Sequence, residues 1–182
     1  MSTFIVLLRA IGPITHKLMS MKQWRDGVEA EGFSNAETYL ATGNMLVDGE
    51  GTPAAVTRRM NAIMQNLGLG LGNVAVVRKP AQLETIFKAN PFPETAVARP
   101  SEMGVYFFAA EQPDFGWVKD YDGDERVAVV GTHLVVDYSG RISQSLKLPG
   151  IIEKRSGVAT ARNWNTLRGL IERAADRKSK DH

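Results

Sequence analysis

Apolar residues in the first part of the chain recur with two different spacings, which predict where strands and helices lie. Residues 3–8 form a continuous apolar run of strand length, typical of a strand covered on both faces. Residues 21–31 and 53–67 carry apolar side chains three to four positions apart, which predicts two amphipathic helices. Ser20 and Thr52 stand where N-terminal caps are needed, so they mark the helix starts.

The other apolar segments of this part predict a hairpin and a further strand. Two strand-like runs, residues 38–42 and 45–48, flank a Gly-Asn pair, which predicts a tight hairpin. One longer strand with a bulge at Gly43 is the alternative. Residues 74–77 supply the last strand. The order βαββαβ over residues 1–79 predicts a ferredoxin-like α+β subdomain.

Residues 80–182 are expected to form a second, smaller α+β subdomain with C-terminal helices, packed closely enough on the first to count with it as one domain. Its predicted elements, in chain order, are a helix from Pro80, a loop over 91–102, a strand over 105–109, a hairpin of strands 126–130 and 133–138, a helix over about 146–156, and a last helix from Asn163 that frays from Arg177 onward. Trp164 heads the apolar stripe of that last helix, which predicts a core anchor.

Composition and charge narrow the class of protein. The chain has 182 residues, 43% of them hydrophobic and 23% charged, as in ordinary globular proteins. It has no cysteine, which excludes disulfides and thiolate chemistry and is consistent with a cytoplasmic location. Arg9 interrupts the first apolar run, so we interpret that run as a buried strand and not as a signal peptide. Because no stretch of about 18 apolar residues occurs, no membrane span is expected.

Positive charge is concentrated at the C-terminal end. Residues 141–182 hold ten Lys and Arg against four Asp and Glu, a net +6, whereas residues 1–140 hold 12 against 16, a net −4. A basic region of this size attracts phosphates or nucleic acid, although terminal helices often carry such charge as a solvated face. The interleaving of these charges with apolar residues favours the solvated face.

Three motifs that resemble cofactor or metal sites have simpler interpretations. The glycine-rich segment 67–72 follows a helix and precedes a strand, the reverse of a nucleotide-binding loop. The acidic segment 120–125 lacks the glutamate that a calcium loop needs at its twelfth position, which is Gly131. The three histidines, at positions 16, 133 and 182, have no metal-binding spacing. We therefore expect no metal and no cofactor, with a solvated turn at 120–125 and a loop role for His16.

Two regions have the residue types of an anion site. Arg9 ends an apolar strand in phase with Ile5 and Leu7, which places its guanidinium at the rim of the sheet; a salt bridge there is the alternative. In the segment 160–166, Arg, Asn and Thr residues crowd the predicted start of the last helix. Free N–H groups and the positive end of the helix dipole bind anions at such a place, whereas capping by Asn163 is the alternative.

Five motifs are spread over about residues 3–172. They are Leu7-Leu8-Arg9-Ala10-Ile11, Tyr39-Leu40-Ala41-Thr42-Gly43-Asn44, Asn90-Pro91-Phe92, Ser145 with Lys147, and Ala159-Thr160-Ala161-Arg162-Asn163-Trp164-Asn165-Thr166. Through these motifs the chain resembles a bacterial family known as domain of unknown function 1697. The family commonly has a glycine-rich, Asn-bearing loop where this chain has residues 10–15, and Leu146 splits its usual Ser-Lys pair. The resemblance implies an α+β fold that contains a ferredoxin-like unit, and it implies no activity.

Three functions are compatible with these features. The first is the binding of a small anionic or phosphorylated ligand at the seam between the subdomains, by Arg9, Thr42, Asn44, Lys147, Arg162, Asn163 and Asn165. The second is RNA binding through the sheet and the basic C-terminal half, for which Phe4, Tyr106, Phe107 and Phe108 are the candidate stacking residues, although the glycine-flanked pattern of RNA-recognition strands is missing. The third is a structural or protein-interaction role. No motif indicates a particular reaction, so the sequence does not decide whether the protein is an enzyme.

Overall fold

The structure, a computed structural model, describes residues 1–138 and 147–180. These residues form helices and two four-stranded antiparallel sheets, which confirms the predicted α+β class. Ser145 and His182 lie outside the described residues, as does the first residue of the helix predicted over 146–156.

The first sheet is covered on one face by two amphipathic helices. Its strands are β1 (Ser2–Leu8), β2 (Ser34–Thr38), β3 (Asn44–Gly49) and β4 (Ala75–Arg78), in the order β2-β3-β1-β4. Its helices are α1 (Pro13–Leu18), α2 (Met21–Ala30) and α3 (Pro53–Asn66). Every second residue of β1 from Phe4 to Leu8 belongs to one hydrophobic core with Trp24 of α2 and Met60 of α3. The Ser20 hydroxyl accepts from the Gln23 N–H and so caps α2, as the sequence predicts.

The second sheet repeats the strand order of the first. After α4 (Pro80–Ala89) and α5 (Pro93–Ala98) come β5 (Met103–Phe108), β6 (Arg126–Val130), β7 (His133–Asp137), α6 (Leu148–Ser156), β8 (Ala159–Asn163) and α7 (Trp164–Lys180). The strand order is β6-β7-β5-β8, so the first strand of each sheet lies between the third and the fourth. One face of the second sheet packs on α6 through Tyr106, Phe108 and Leu148.

Several predicted elements differ from the structure in their position in the sequence or in their secondary structure. Residues 13–18, within a predicted loop, form α1, and residues 93–98, also in a predicted loop, form α5. The hairpin has its first strand at Ser34–Thr38 and a longer turn than a Gly-Asn pair would make, because Thr38 pairs with Met45. A proline at the first position of each of the two missed helices fixes φ in the helical range, which explains why these short segments turn.

The C-terminal segment also differs from the prediction. Residues 159–163 form β8, where the sequence predicts no strand, and α7 begins one residue after the predicted start. The tail does not fray at Arg177, because that side chain donates from Nη2 to the main-chain oxygen of Leu46 at 3.0 Å and from Nη1 to Asp48 Oδ1 at 3.3 Å. α7 therefore remains helical to Lys180.

The chain divides into two compact units. The first comprises Met1–Leu83 with Leu170–His182, and the second comprises Glu84–Gly169. In this division the second half of α7, from Leu170, belongs to the first unit. That the boundary between two subdomains lies between residues 79 and 80 stays a prediction. Among the described residues, no helix has the length and apolarity needed to cross a membrane.

Candidate functional site

A cavity of about 290 Å³ lies in the second unit, on the face of the sheet that α6 covers. It is lined by Gly104, Tyr106, Tyr138, Pro149, Ala161, Arg162 and Asn163. The antiparallel register sets Gly104 beside Asn163 and Tyr106 beside Ala161, so these four residues share one face of the sheet. Pro149 closes the cavity from the first turn of α6.

Two tyrosine hydroxyls meet at this cavity. Tyr106 on β5 and Tyr138 after β7 are each 7% exposed, and their hydroxyl groups form a short hydrogen bond with each other. Gly104 makes room for this arrangement, since a Cβ atom there would lie 2.9 Å from Cε2 of Tyr138. Burial raises the pKa of both phenols, because the phenolate would be poorly solvated. Both tyrosines therefore keep their protons at neutral pH and remain hydrogen-bond donors.

Asn163 has two separate roles in this structure. Its Oδ1 accepts from the Thr166 main-chain N–H at 2.9 Å and from the Thr166 hydroxyl at 3.2 Å, which caps α7 as the alternative interpretation predicted. Its Nδ2 makes no hydrogen bond to any of the residues that the structure describes, and the side chain lines the cavity. The amide thus presents a donor to whatever occupies the cavity.

Arg162 is buried, but its guanidinium is on the other side of the sheet. It pairs with Val105 in the register, so alternation directs its side chain away from the face of Tyr106 and Asn163. Its Nη1 donates to Thr160 Oγ1, two residues away on the same face, at 2.5 Å. Burial lowers the pKa of Arg162 to about 10, and the group stays protonated at neutral pH. Arg162 therefore borders the cavity through its main chain.

Lys147 and Asn165 are exposed residues at the starts of two helices. Lys147 is the N-cap residue of α6 and directly precedes the turn that carries Pro149. Asn165 lies in the first turn of α7 and does not line the cavity. Of the predicted residues in this unit, Asn163 and the main chain of Arg162 line one cavity. Lys147 precedes the lining residue Pro149 by two positions in the sequence, and Asn165 does not line the cavity.

The predicted residues of the first unit form a turn and a strand end. The buried Asn44 donates from Nδ2 to Thr42 Oγ1 at 2.9 Å and to the Tyr39 main-chain oxygen at 2.8 Å, so it fixes the turn between β2 and β3. Arg9 Nη1 donates to the main-chain oxygen of Gly72 at 3.1 Å. Asn44 thus has a structural role in the turn. That Arg9, Lys147 and Arg162 share one anion stays a prediction.

The sequence does not predict Tyr106 and Tyr138 as site residues. It predicts Tyr106 only as a possible base-stacking residue and Tyr138 only as the end of a strand. The available signal was a tyrosine at an inward position of each of two apolar strands, because a buried tyrosine brings a hydroxyl that needs a partner. The two hydroxyl groups meet because β5 pairs with β7 in the folded sheet, and the sequence does not show this pairing.

Raising the pH should unfold the protein in part through this tyrosine pair. The phenols ionise near pH 10 in the unfolded chain, whereas burial keeps them protonated in the folded protein, so stability falls as the pH rises above about 10. Each phenol contributes about 1.4 kcal/mol per pH unit to that fall. We expect Tyr138→Phe to make the fall shallower by that amount, as measured by urea unfolding between pH 9 and pH 11.5. Equal slopes for the two proteins would contradict this.

Two α+β units, each built around a four-stranded antiparallel sheet, define the fold class of this protein, and the comparisons agree with that class. The chain belongs to the family described as "Protein of unknown function (DUF1697)", whose model matches residues 1–134. This confirms the family resemblance, although the motif at residues 159–166 lies beyond the matched span.

A solved structure shares the fold. The chain is similar to the structure of a conserved bacterial protein, SP0830 from Streptococcus pneumoniae, with a TM-score of 0.72 and 15% sequence identity. The similarity covers 96% of this chain and 99% of that chain. At this identity it shows the fold alone. The search of curated proteins found no match.

Proposed function

We propose that the protein binds a small anionic ligand, such as a phosphate-bearing molecule, in the cavity between Tyr138 and Asn163. The observation that carries this proposal is the set of hydrogen-bond donors that line a cavity of about 290 Å³. Pockets for small ligands combine an apolar wall with a few placed polar groups. Here Pro149, Ala161 and the two rings supply the wall.

The donors exceed what the described residues use. Tyr106 and Tyr138 carry two hydroxyl protons, and their mutual hydrogen bond uses only one of them. Among residues 1–138 and 147–180, one phenolic O–H is therefore left to donate to a ligand. Asn163 adds its Nδ2 group, because only its Oδ1 serves the cap of α7. A ligand that accepts hydrogen bonds at two points matches these groups.

The N-terminal end of α6 favours an anion over a neutral acceptor. Pro149 is in the first turn of α6, a nine-residue helix, where N–H groups have no intrahelical partner and the helix dipole is positive. Lys147 adds a full positive charge at the N-cap of this helix. Arg162, on the far face of β8, raises the potential without direct contact. In this proposal Arg9, Thr42, Asn44 and Asn165 do not touch the ligand.

The alternative of RNA binding has no comparable support. Phe107 and Phe108 of β5 are 0% and 1% exposed, and Tyr106 is 7% exposed. Recognition of single-stranded RNA on a sheet needs aromatic rings that are open to stacking bases. The described surface of β5 offers none of its three aromatic rings for this.

Inorganic phosphate should raise the melting temperature of the protein, and Asn163→Asp should remove this response. The aspartate keeps an oxygen to cap α7 but replaces the Nδ2 donor by a negatively charged acceptor, which repels an anion. At 100 times the dissociation constant, phosphate should stabilise the wild-type protein by about 2.7 kcal/mol. Thermal unfolding in sodium phosphate, compared with sodium chloride at equal ionic strength, measures the effect.

Two further variants sharpen the test. Lys147→Gln should weaken phosphate binding, because it removes the positive charge at the start of α6, whereas Lys88→Gln, at an exposed lysine of α4, should leave binding unchanged. A phosphate response that is the same in wild type, Asn163→Asp and Lys147→Gln would rule out this cavity as the binding site.

A further inference from the structure

A second cavity, of about 510 Å³, lies in the same unit, between residues 114–122 and α6. We infer that it binds a small organic cation, one that carries an alkylammonium group. Its main lining residues are Asp114, Trp117, Asp120, Tyr121, Asp122 and Arg155. This site is independent of the proposed anion site, because it shares no lining residue with it.

The aromatic walls of this cavity are held in fixed orientations. The Trp117 indole nitrogen donates to Ser156 Oγ at 2.8 Å, and the buried Ser156 hydroxyl donates to the Asp114 main-chain oxygen at 2.6 Å. Tyr121 donates its hydroxyl proton to Glu125 and stands perpendicular to Trp117, at 89° with 6.0 Å between ring centroids. The edge of one ring meets the face of the other, and the ring faces left uncovered are the kind of surface that attracts alkylammonium groups.

Negative charge prevails around these rings. Asp114, Asp120 and Asp122 line the cavity and form no ion pair with any of the described residues. Arg155 is the one cation among the lining residues, so the net formal charge of the lining is −2. The Asp114 carboxylate is oriented by the Gly116 N–H, which donates to its Oδ1 at 2.8 Å. A cation that enters the cavity therefore meets both carboxylates and aromatic faces.

The geometry favours an organic cation over a metal ion. No group of three or more His, Cys, Asp or Glu side chains in the described ranges is close enough to hold a metal ion, so these three carboxylates are too dispersed for one. A cation with alkyl groups can instead contact the faces of Trp117 and Tyr121 while its charge faces the carboxylates. The volume of about 510 Å³ is within the range of small-molecule sites.

Fluorescence can test this inference at a single tryptophan. Trp24 and Trp164 are 0% and 1% exposed, so a small cation in solution contacts Trp117 alone among the three. Titration with tetramethylammonium chloride should change the Trp117 emission and saturate, with a dissociation constant on the order of millimolar for so small a probe. Sodium chloride and calcium chloride at equal ionic strength should produce no saturable change. A linear response to tetramethylammonium, or an equal response to calcium, would overturn the inference.

Variants of the carboxylates supply the control. The double variant Asp120→Asn, Asp122→Asn keeps the fluorophore and its Ser156 hydrogen bond, and we expect it to weaken tetramethylammonium binding about tenfold or more. Asp176→Asn, at an exposed position of α7, should bind as the wild type does. Unchanged binding by the double variant would show that the carboxylates do not hold the cation, and so would refute the site as described.

Discussion

Trp164→Ala is expected to lower the free energy of unfolding by about 3–5 kcal/mol, the range for a fully buried large aromatic residue. Trp164 is 1% exposed and stacks on Phe87, with 5.3 Å between ring centroids and 18° between planes. The residue also begins α7, directly after the Asn163 cap, so its loss leaves a cavity beneath the first turn of that helix. Urea unfolding of both proteins measures the difference.

Trp164→Phe is the matched control for this prediction. A phenyl ring keeps a stacked partner for Phe87 and leaves a smaller cavity, so the loss of stability should be clearly smaller than for alanine. If Trp164→Ala left the unfolding free energy unchanged but abolished the phosphate response, Trp164 would be a ligand residue and the core assignment would be wrong.

Gly43→Ala is expected to destabilise the protein by about 2–4 kcal/mol, because two effects add at this position. Gly43 has a φ of +86°, which L-residues other than glycine rarely adopt. A Cβ atom there would also lie 2.9 Å from Leu8 Cβ and 2.9 Å from Ile11 Cγ1. Leu8 Cβ is fixed by the main chain of β1, whose Leu8 N–H donates to the Gly43 oxygen at 2.8 Å, so it cannot move away.

Gly68→Ala separates the two effects. Gly68 has a φ of +100°, but a Cβ atom there would meet nothing within 4 Å. Its replacement should therefore show the conformational cost alone, about 1–2 kcal/mol. The difference in unfolding free energy between the two variants measures the close contact at Gly43. Equal losses would mean that the turn relaxes around the added methyl group.

Local signals were sufficient for the elements whose own sequence defines both ends. The helices predicted over 21–31 and 53–67 are observed at Met21–Ala30 and Pro53–Asn66, since each has a capping residue and a continuous apolar stripe. The hairpin strands predicted at 126–130 and 133–138 are observed within one residue of those limits, around the turn at Gly131. For these elements, the turn or capping residue and the apolar periodicity predict the same limits.

Elements that depend on distant partners were beyond local reasoning. β2 is polar except for Ala36, and β8 consists of small and polar residues, so neither has the apolar pattern of a strand. Each forms because a buried neighbour, β3 or β5, offers its main-chain groups for pairing. The same limit applies to the site. Asn163 was predicted from the sequence, but its proximity to two tyrosines and the opposite orientation of Arg162 follow from the register of β8.

The most direct test of the proposed function is to locate a bound anion. A crystal of the protein soaked in sodium tungstate should show an anomalous peak in the cavity, within hydrogen-bonding distance of Asn163 Nδ2 and of a hydroxyl oxygen of Tyr106 or Tyr138. Asn163→Asp crystals treated in the same way should show no peak there. A cavity without tungstate in the wild-type protein, in crystals where the anion binds elsewhere at high occupancy, would contradict the proposal.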